Sequence, residues 1–222
     1  MTELGHVERG GPPLVERLSS TVTLVKLSVG PMHNNAYLLR SSDGHSVLVD
    51  AANDAERILA VIGPEKELDA VITTHRHQDH WQALADVQRA TSAALVAGRP
   101  DVDAVATGAW VENVVGVWDG DAVALGAETL EVVGLVGHTP GSIALAYHSP
   151  TGVTHLFTGD SLFPGGPGRT TSPGDFASLM EDLERKIFDR YDDLAHVHPG
   201  HGDDTTLGVE RPHLAEWRSR GW

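Results

Sequence analysis

Short apolar runs that stop abruptly at a Gly, Asp or His turn recur along the 222-residue chain, and they confine it to a layered sheet fold. From Thr21 the segments TVTLVKLSV, NAYLLR and HSVLVD read as strands. DAERILAVI follows with helical spacing, and Asn53 or Asp54 is placed to cap it. AVITT is a further strand and WQALADVQRA the helix after it. In the second half DAVAL, LEVVGLV, IALAYH, THLFTG and AHVHPG read as strands, and ERPHLAEW as a last helix. DFASLMEDLERKIF puts Phe176, Leu179, Met180, Leu183 and Ile187 on one helical face. Strands dominate and helices are interspersed, so the expected architecture is sheets covered by helices. GGPP at residues 10–13 punctuates the start. Residues 1–20 are expected to be a mobile segment and residues 21–222 a single domain.

Composition narrows the chemistry. With no cysteine, disulfides, thiol catalysis and cysteine-held zinc are all excluded. Any metal must be held by histidine and carboxylate, and the chain carries 13 histidines. A formal net charge of −15 disfavours nucleic acid, which needs a basic face. No apolar stretch reaches the roughly 20 residues that span a bilayer. The N-terminus lacks a basic segment followed by an apolar one, so it does not read as a signal peptide. A cytoplasmic protein acting on a small molecule, without nucleic acid or membrane, is the expectation. No feature speaks to oligomeric state.

The densest chemistry is THRHQDHW, residues 74–81, directly after the strand AVITT. His75 and His77 are two apart, so in extended backbone they project to one side. Asp79 and His80 follow within one short turn and can face an adjacent point. The remaining candidates, His138, Asp160 and His201, also stand in loops just after apolar runs, where α/β proteins build their sites. The pattern fits two cations about 3.5–4 Å apart. Ions that close need an anionic bridge, and Asp160 is the natural candidate. His6, His45, His148, His155 and His213 stand apart from these motifs and read as ordinary surface or core residues.

With H-x-H-x-D-H, GHTPGS, TGD and PGHG in this order, the sequence resembles the metallo-β-lactamase-fold hydrolases over about residues 22–208. The resemblance implies an α/β fold, a four-layer αβ/βα sandwich of two mixed sheets with helices on the outer faces. It also implies the ligand sets: His75, His77, His138 and Asp160 for one metal; Asp79, His80, His201 and the same Asp160 for the other. A bridging Asp160 and absent cysteine separate the chain from true β-lactamases. TGDSLFPGGPGRT and PGHGDDTTLGVE look most like compact glyoxalase II-like thioester hydrolases. The sequence stops at Trp222 without the helical domain that helps bind glutathione in glyoxalase II, so hydrolysis is expected and glutathione specificity is not.

Further residues take roles by the same resemblance. Asp50, ending the strand SVLVD, resembles the buried Asp that braces the metal loop; a cap approaching the next helix is the alternative. His33, in GPMHNNAYLL, is a candidate to touch substrate, and Asn34 and Asn35 read as turn formers. Arg169, in GPGRT, is a candidate anchor for a substrate carboxylate.

The reading that follows is a metal-dependent hydrolase with two divalent ions, zinc first, iron or manganese also compatible. Metal binding lowers the pKa of water from 15.7 toward about 7 and supplies a bridging hydroxide at neutral pH. Asp79 and Asp160 are the catalytic candidates, Asp79 as proton acceptor. A thiolate, with a thiol pKa of about 8.5, leaves without a strong general acid, which suits a thioester of a small thiol such as glutathione or mycothiol. The alternatives are a lactonase or phosphodiesterase on the same scaffold, or a mononuclear-iron persulfide oxygenase using His75, His138 and Asp160.

Overall fold

The computed structural model describes residues 4–221. Its first half is one sheet of seven strands lying in chain order: β1 (Leu14–Arg17), β2 (Val22–Val29), β3 (Asn34–Ser41), β4 (Ser46–Val49), β5 (Ala70–Thr73), β6 (Ala94–Gly98) and β7 (Val114–Val117). Pairing is antiparallel from β1 to β4 and parallel from β4 to β7. The parallel crossovers carry α1 (Ala55–Ile62), α2 (Leu84–Thr91) and α3 (Val102–Ala109).

The second sheet contains β8 (Ala122–Leu125), β9 (Glu128–Gly134), β10 (Ile143–His148), β11 (Thr154–Gly159), β14 (His196–Pro199) and β15 (Thr205–Thr206), in the spatial order β15-β14-β11-β10-β9-β8. β11 and β14 are parallel, and the other neighbours antiparallel. A small hairpin of β12 (Leu162–Phe163) and β13 (Gly166–Pro167) leads to α4 (Pro173–Asp182), which continues as a π-helix over Leu183–Phe188. After β15 come α5 (Leu207–Glu210) and α6 (Leu214–Arg220).

Three apolar layers hold the two large sheets and the helices together, and strand periodicity decides which side chain enters which layer. Val47 and Val49 of β4 face the space between the sheets, with Ile72, Leu145 and Phe157. Leu48 points the other way, toward Ile58, Leu84 and Val105 of the first helical layer. Leu156 and Val197 point away from the first sheet, onto Leu179, Met180, Leu183, Ile187 and Trp217. Strands buried on both faces must be apolar at successive positions, which explains the unbroken runs VLV in β4 and AVI in β5. Phe176 is only partly buried, but it packs on the same layer as the rest of its helical stripe.

Two expectations need correction. The segment up to residue 20 contributes β1, whose Leu14 pairs with Lys26 and whose residues alternate between half-buried and exposed, as an edge strand should. The fold therefore begins before residue 21; residues 1–3 of that segment lie outside the described residues. ERPHLAEW is not one helix, because a 3₁₀ turn at Arg211–His213, carrying Pro212, separates α5 from α6. Asp54 does occupy the position before α1, but in left-handed backbone (φ 53°) and without a side-chain capping bond.

Candidate metal centre

Four strands deliver their following loops to one edge of the two sheets. His75, His77, Asp79 and His80 come after β5, His138 after β9, Asp160 after β11 and His201 after β14. β9, β11 and β14 run in the same direction, so the last three residues leave the same end of the second sheet. Extended backbone at His77 (φ −67°, ψ 139°) precedes a single 3₁₀ turn, Gln78–His80. That local form puts the rings of His75 and His77 side by side, 4.8 Å between centroids, and swings Asp79 and His80 toward the second sheet.

The seven side chains converge. His138 Nε2 lies 2.9 Å from His77 Nδ1 and 3.2 Å from His75 Nε2. His201 Nε2 lies 3.3 Å from both His80 Nε2 and Asp79 Oδ2. Asp160 stands between these groups. Its Oδ2 is 3.6 Å from His138 Nε2, 4.0 Å from His75 Nε2 and 3.5 Å from His201 Nε2, while its Oδ1 is 3.3 Å from His80 Nε2. His75 and His80 are buried, His138, His201, Asp79 and Asp160 are partly buried, and His77 is exposed, so the cluster opens on the His77 side.

Each of four rings is held from behind. His80 Nδ1 faces Asp50 Oδ2 at 2.8 Å, His138 Nδ1 faces the Arg169 carbonyl at 2.6 Å, His201 Nδ1 faces the Met32 carbonyl at 3.0 Å, and His75 Nδ1 faces Thr74 Oγ1 at 3.1 Å. A carboxylate or carbonyl behind an imidazole keeps the proton on that nitrogen and turns the other lone pair inward. Asp50 is itself fixed by the Thr74 N–H and hydroxyl, both 2.8 Å away.

Burial pushes the His75, His77 and His138 imidazoles below their ordinary value of 6.5, and neighbouring rings push the same way, so all three are neutral donors. Burial opposes charge on His80 and His201 too, but Asp50 and Asp160 at His80, and Asp160 and Asp79 at His201, outweigh it and raise both to about 10. Asp160 and Asp79 stay well below the usual carboxylate value for the reciprocal reason, against the desolvation that opposes them. The carboxylates of the cluster thus favour positive charge beside them. Asp160 Oδ1 is buried, and among the described residues no hydrogen bond of normal geometry reaches it. A cation answers both observations, and a donor set of imidazoles and carboxylates suits zinc, iron or manganese.

Other expected residues fall differently. Asp50 is at the loop, buried, in left-handed backbone (φ 58°). His33 is exposed beside the cluster, and it is its backbone carbonyl that is engaged, accepting from Gly202 N–H. Arg169 contributes its carbonyl to His138, while its exposed side chain lines a cavity of about 300 Å³ together with Phe176 and Arg220. Asn34 and Asn35 are not turn formers. They open β3, fully buried, with Asn34 Nδ2 donating to Asp79 Oδ2 (2.9 Å) and Asn35 Nδ2 to the Pro199 and Gly202 carbonyls. Asp101, passed over in the sequence, is buried and accepts from Arg76 N–H, Thr139 hydroxyl and Gly141 N–H, tying the His75–His77 loop to the His138 loop.

Comparison with known proteins agrees with this geometry. Hydroxyacylglutathione hydrolase GloC of Haemophilus influenzae is 27% identical over 206 residues, 83% of this chain and 93% of that protein. Longer hydroxyacylglutathione hydrolases also match, and this chain spans about half of their length. The crystal structure of TTHA1623 in a di-iron-bound form superposes with a TM-score of 0.67 at 32% identity, over 84% of this chain and 96% of that one. ETHE1 from Myxococcus xanthus gives 0.72 at 27% identity, over 86% and 82%. The sequence profile described as the metallo-beta-lactamase superfamily matches residues 29–203, which span the whole cluster from β2 to the loop after β14. On that match and on the two-sheet architecture, the chain belongs to the metallo-β-lactamase superfamily.

Proposed function

We propose that this chain is a hydrolase that cleaves the acyl thioester of a small thiol, with two divalent ions held by His75, His77, His138 and Asp160 on one side and by Asp79, His80, His201 and Asp160 on the other. The observation that carries the proposal is the position of Asp160. Its Oδ2 faces His138 and its Oδ1 faces His80, so one carboxylate serves both groups of donors. Ions held there supply a water of lowered pKa and a Lewis acid for the carbonyl oxygen.

The protein's own groups do the rest. Asp79, kept ionised and held by the Asn34 amide, accepts a proton from the attacking water. The buried histidines and Asp50 keep the donor geometry rigid, so little reorganisation accompanies the reaction. A thiolate leaving group needs no strong general acid. Similarity to GloC over nearly its full length supports thioester hydrolysis; the longer hydrolases extend beyond what this chain matches, so the thiol carrier is left open.

The test is anaerobic. Protein loaded with zinc, iron or manganese is given thioesters of glutathione and of mycothiol, and free thiol is measured. Thiol release that falls with both His77→Ala and His80→Ala is the expected result. Dioxygen uptake with a persulfide, dependence on iron, no thioester cleavage and indifference to His80→Ala would instead identify an iron oxygenase.

A further inference from the structure

A second group of imidazoles lies between the sheets, away from the candidate centre. His155 is near the start of β11, and His196 and His198 are on β14, with His155 in register with His196 and Phe157 with His198. Leu156 and Val197 point to the outer helices, so the intervening histidines face the inter-sheet layer, where His198 stacks on Phe157. His155 and His198 are buried, and His196 is partly exposed. Each ring offers a nitrogen, and these three atoms lie within 4.8 Å of one another.

Three features go beyond packing. First, His155 Nδ1 and His198 Nε2 are 3.1 Å apart; two nitrogens sharing a tetrahedral ion at about 2.0–2.1 Å would be roughly 3.3 Å apart. Second, His198 Nδ1 donates to Asp204 Oδ2 at 2.9 Å, which leaves its Nε2 lone pair aimed at the other rings. A carboxylate behind an imidazole is how metal-binding histidines are oriented. Third, the His196 ring contacts both other rings yet makes no side-chain hydrogen bond to another described residue, so a simple relay leaves it unused.

The charge balance is compatible. Burial and the two neighbouring rings push His155 down to about 3, and burial and His198 lower His196, which favours neutral rings that each keep one nitrogen lone pair. Lys26, fully buried, binds the other oxygen of Asp204 at 2.6 Å and the Gly202 carbonyl at 2.8 Å. Asp204 therefore stands between Lys26 and the rings. Glu16 of β1 adds negative potential near His196.

We propose that His155, His196 and His198 form a further binding site for a divalent transition-metal ion of the zinc class, with water completing coordination on the exposed side of His196. The ion clamps β11 to β14 within the inter-sheet layer, three residues before His201 at His198 and five before Asp160 at His155, roughly 10–16 Å along the strands. This site does not depend on the thioester reading.

The experiment uses the full chain and zinc alone. Wild type, His196→Ala and His155→Gln are equilibrated with buffered zinc, freed of excess, and their zinc per chain is measured. Circular dichroism checks folding, and His196→Ala, at a partly exposed position, leaves the core filled. Crystals of the same wild-type protein give an anomalous difference map at the zinc edge. We expect one zinc fewer in each variant than in wild type, a peak among the three rings, and hydrolytic turnover of His196→Ala within about twofold of wild type. Equal zinc content in wild type and both variants, or a lost zinc whose peak lies elsewhere, overturns the proposal.

Discussion

Asp50 Oδ2 lies 2.8 Å from His80 Nδ1, and this contact joins the end of β4 to the loop after β5. The same carboxylate accepts from Thr74, so it holds the loop both just before its first donor, His75, and at its last, His80. Asp50→Ala is expected to weaken metal affinity by roughly 10–100-fold while leaving all seven donors present. Competition against a chromogenic chelator measures this, and unchanged affinity would show that the loop needs no brace.

Asp160→Asn removes the charge that both groups of donors face. Metal content is expected to fall at both positions together, with turnover reduced by more than about 100-fold, since a direct ligand should cost more than a supporting contact. Retention of wild-type metal content and turnover in this variant would refute a bridging role.

Gly200 sits where a side chain would collide with the centre. A Cβ there would overlap Asp160 Oδ1 and come within 2.7 Å of His80 Cε1. The backbone cannot easily retreat, because Gly200 N–H is bonded to the Gly159 carbonyl (2.8 Å) and Asn35 N–H to the Gly200 carbonyl (2.7 Å). Gly200→Ala is therefore expected to fold, by circular dichroism, yet to lose at least about tenfold in metal affinity. An alanine variant with wild-type affinity would mean that the cradle yields.

Glu131 on β9 gives a pH prediction away from the metals. Partial burial would raise its carboxyl, but hydrogen bonds from Arg190 (2.6 Å) and His148 (3.1 Å) outweigh that and hold it below 4.5. A depressed carboxyl contributes stability above its unfolded value, and that stability is lost as pH falls through the lowered one. Glu131→Gln should flatten the stability profile below pH 4.5 by less than about 1 kcal/mol, the pair being partly exposed. Urea midpoints for both proteins at pH 7 and pH 4 measure it; parallel profiles would contradict it.

The donors themselves were legible in the sequence, because their types and spacing are local. His75 to His80 lie in one loop, and His138, Asp160 and His201 each follow an apolar run that could only be a strand. Strand and helix periodicity likewise announced the inter-sheet and helical layers, and Leu179 to Ile187 pack as their spacing required. Asn34 was misread, Asp101 was passed over, and the neighbours of His155 were not legible, all for one reason. Their partners are distant in sequence, 45 residues from Asn34 to Asp79, 38 from Asp101 to Thr139 and 43 from His155 to His198. Nothing near Asn34 in the chain distinguishes an amide that grips a carboxylate from one that makes a turn. Sequence by itself determined which groups could bind a cation and which strands would carry them, since both follow from side-chain chemistry and period. Only the tertiary structure decided that Asp160 stands between two sets of donors and that His155 has companions, because those distances arise when β11 and β14 pair and the two sheets close over them.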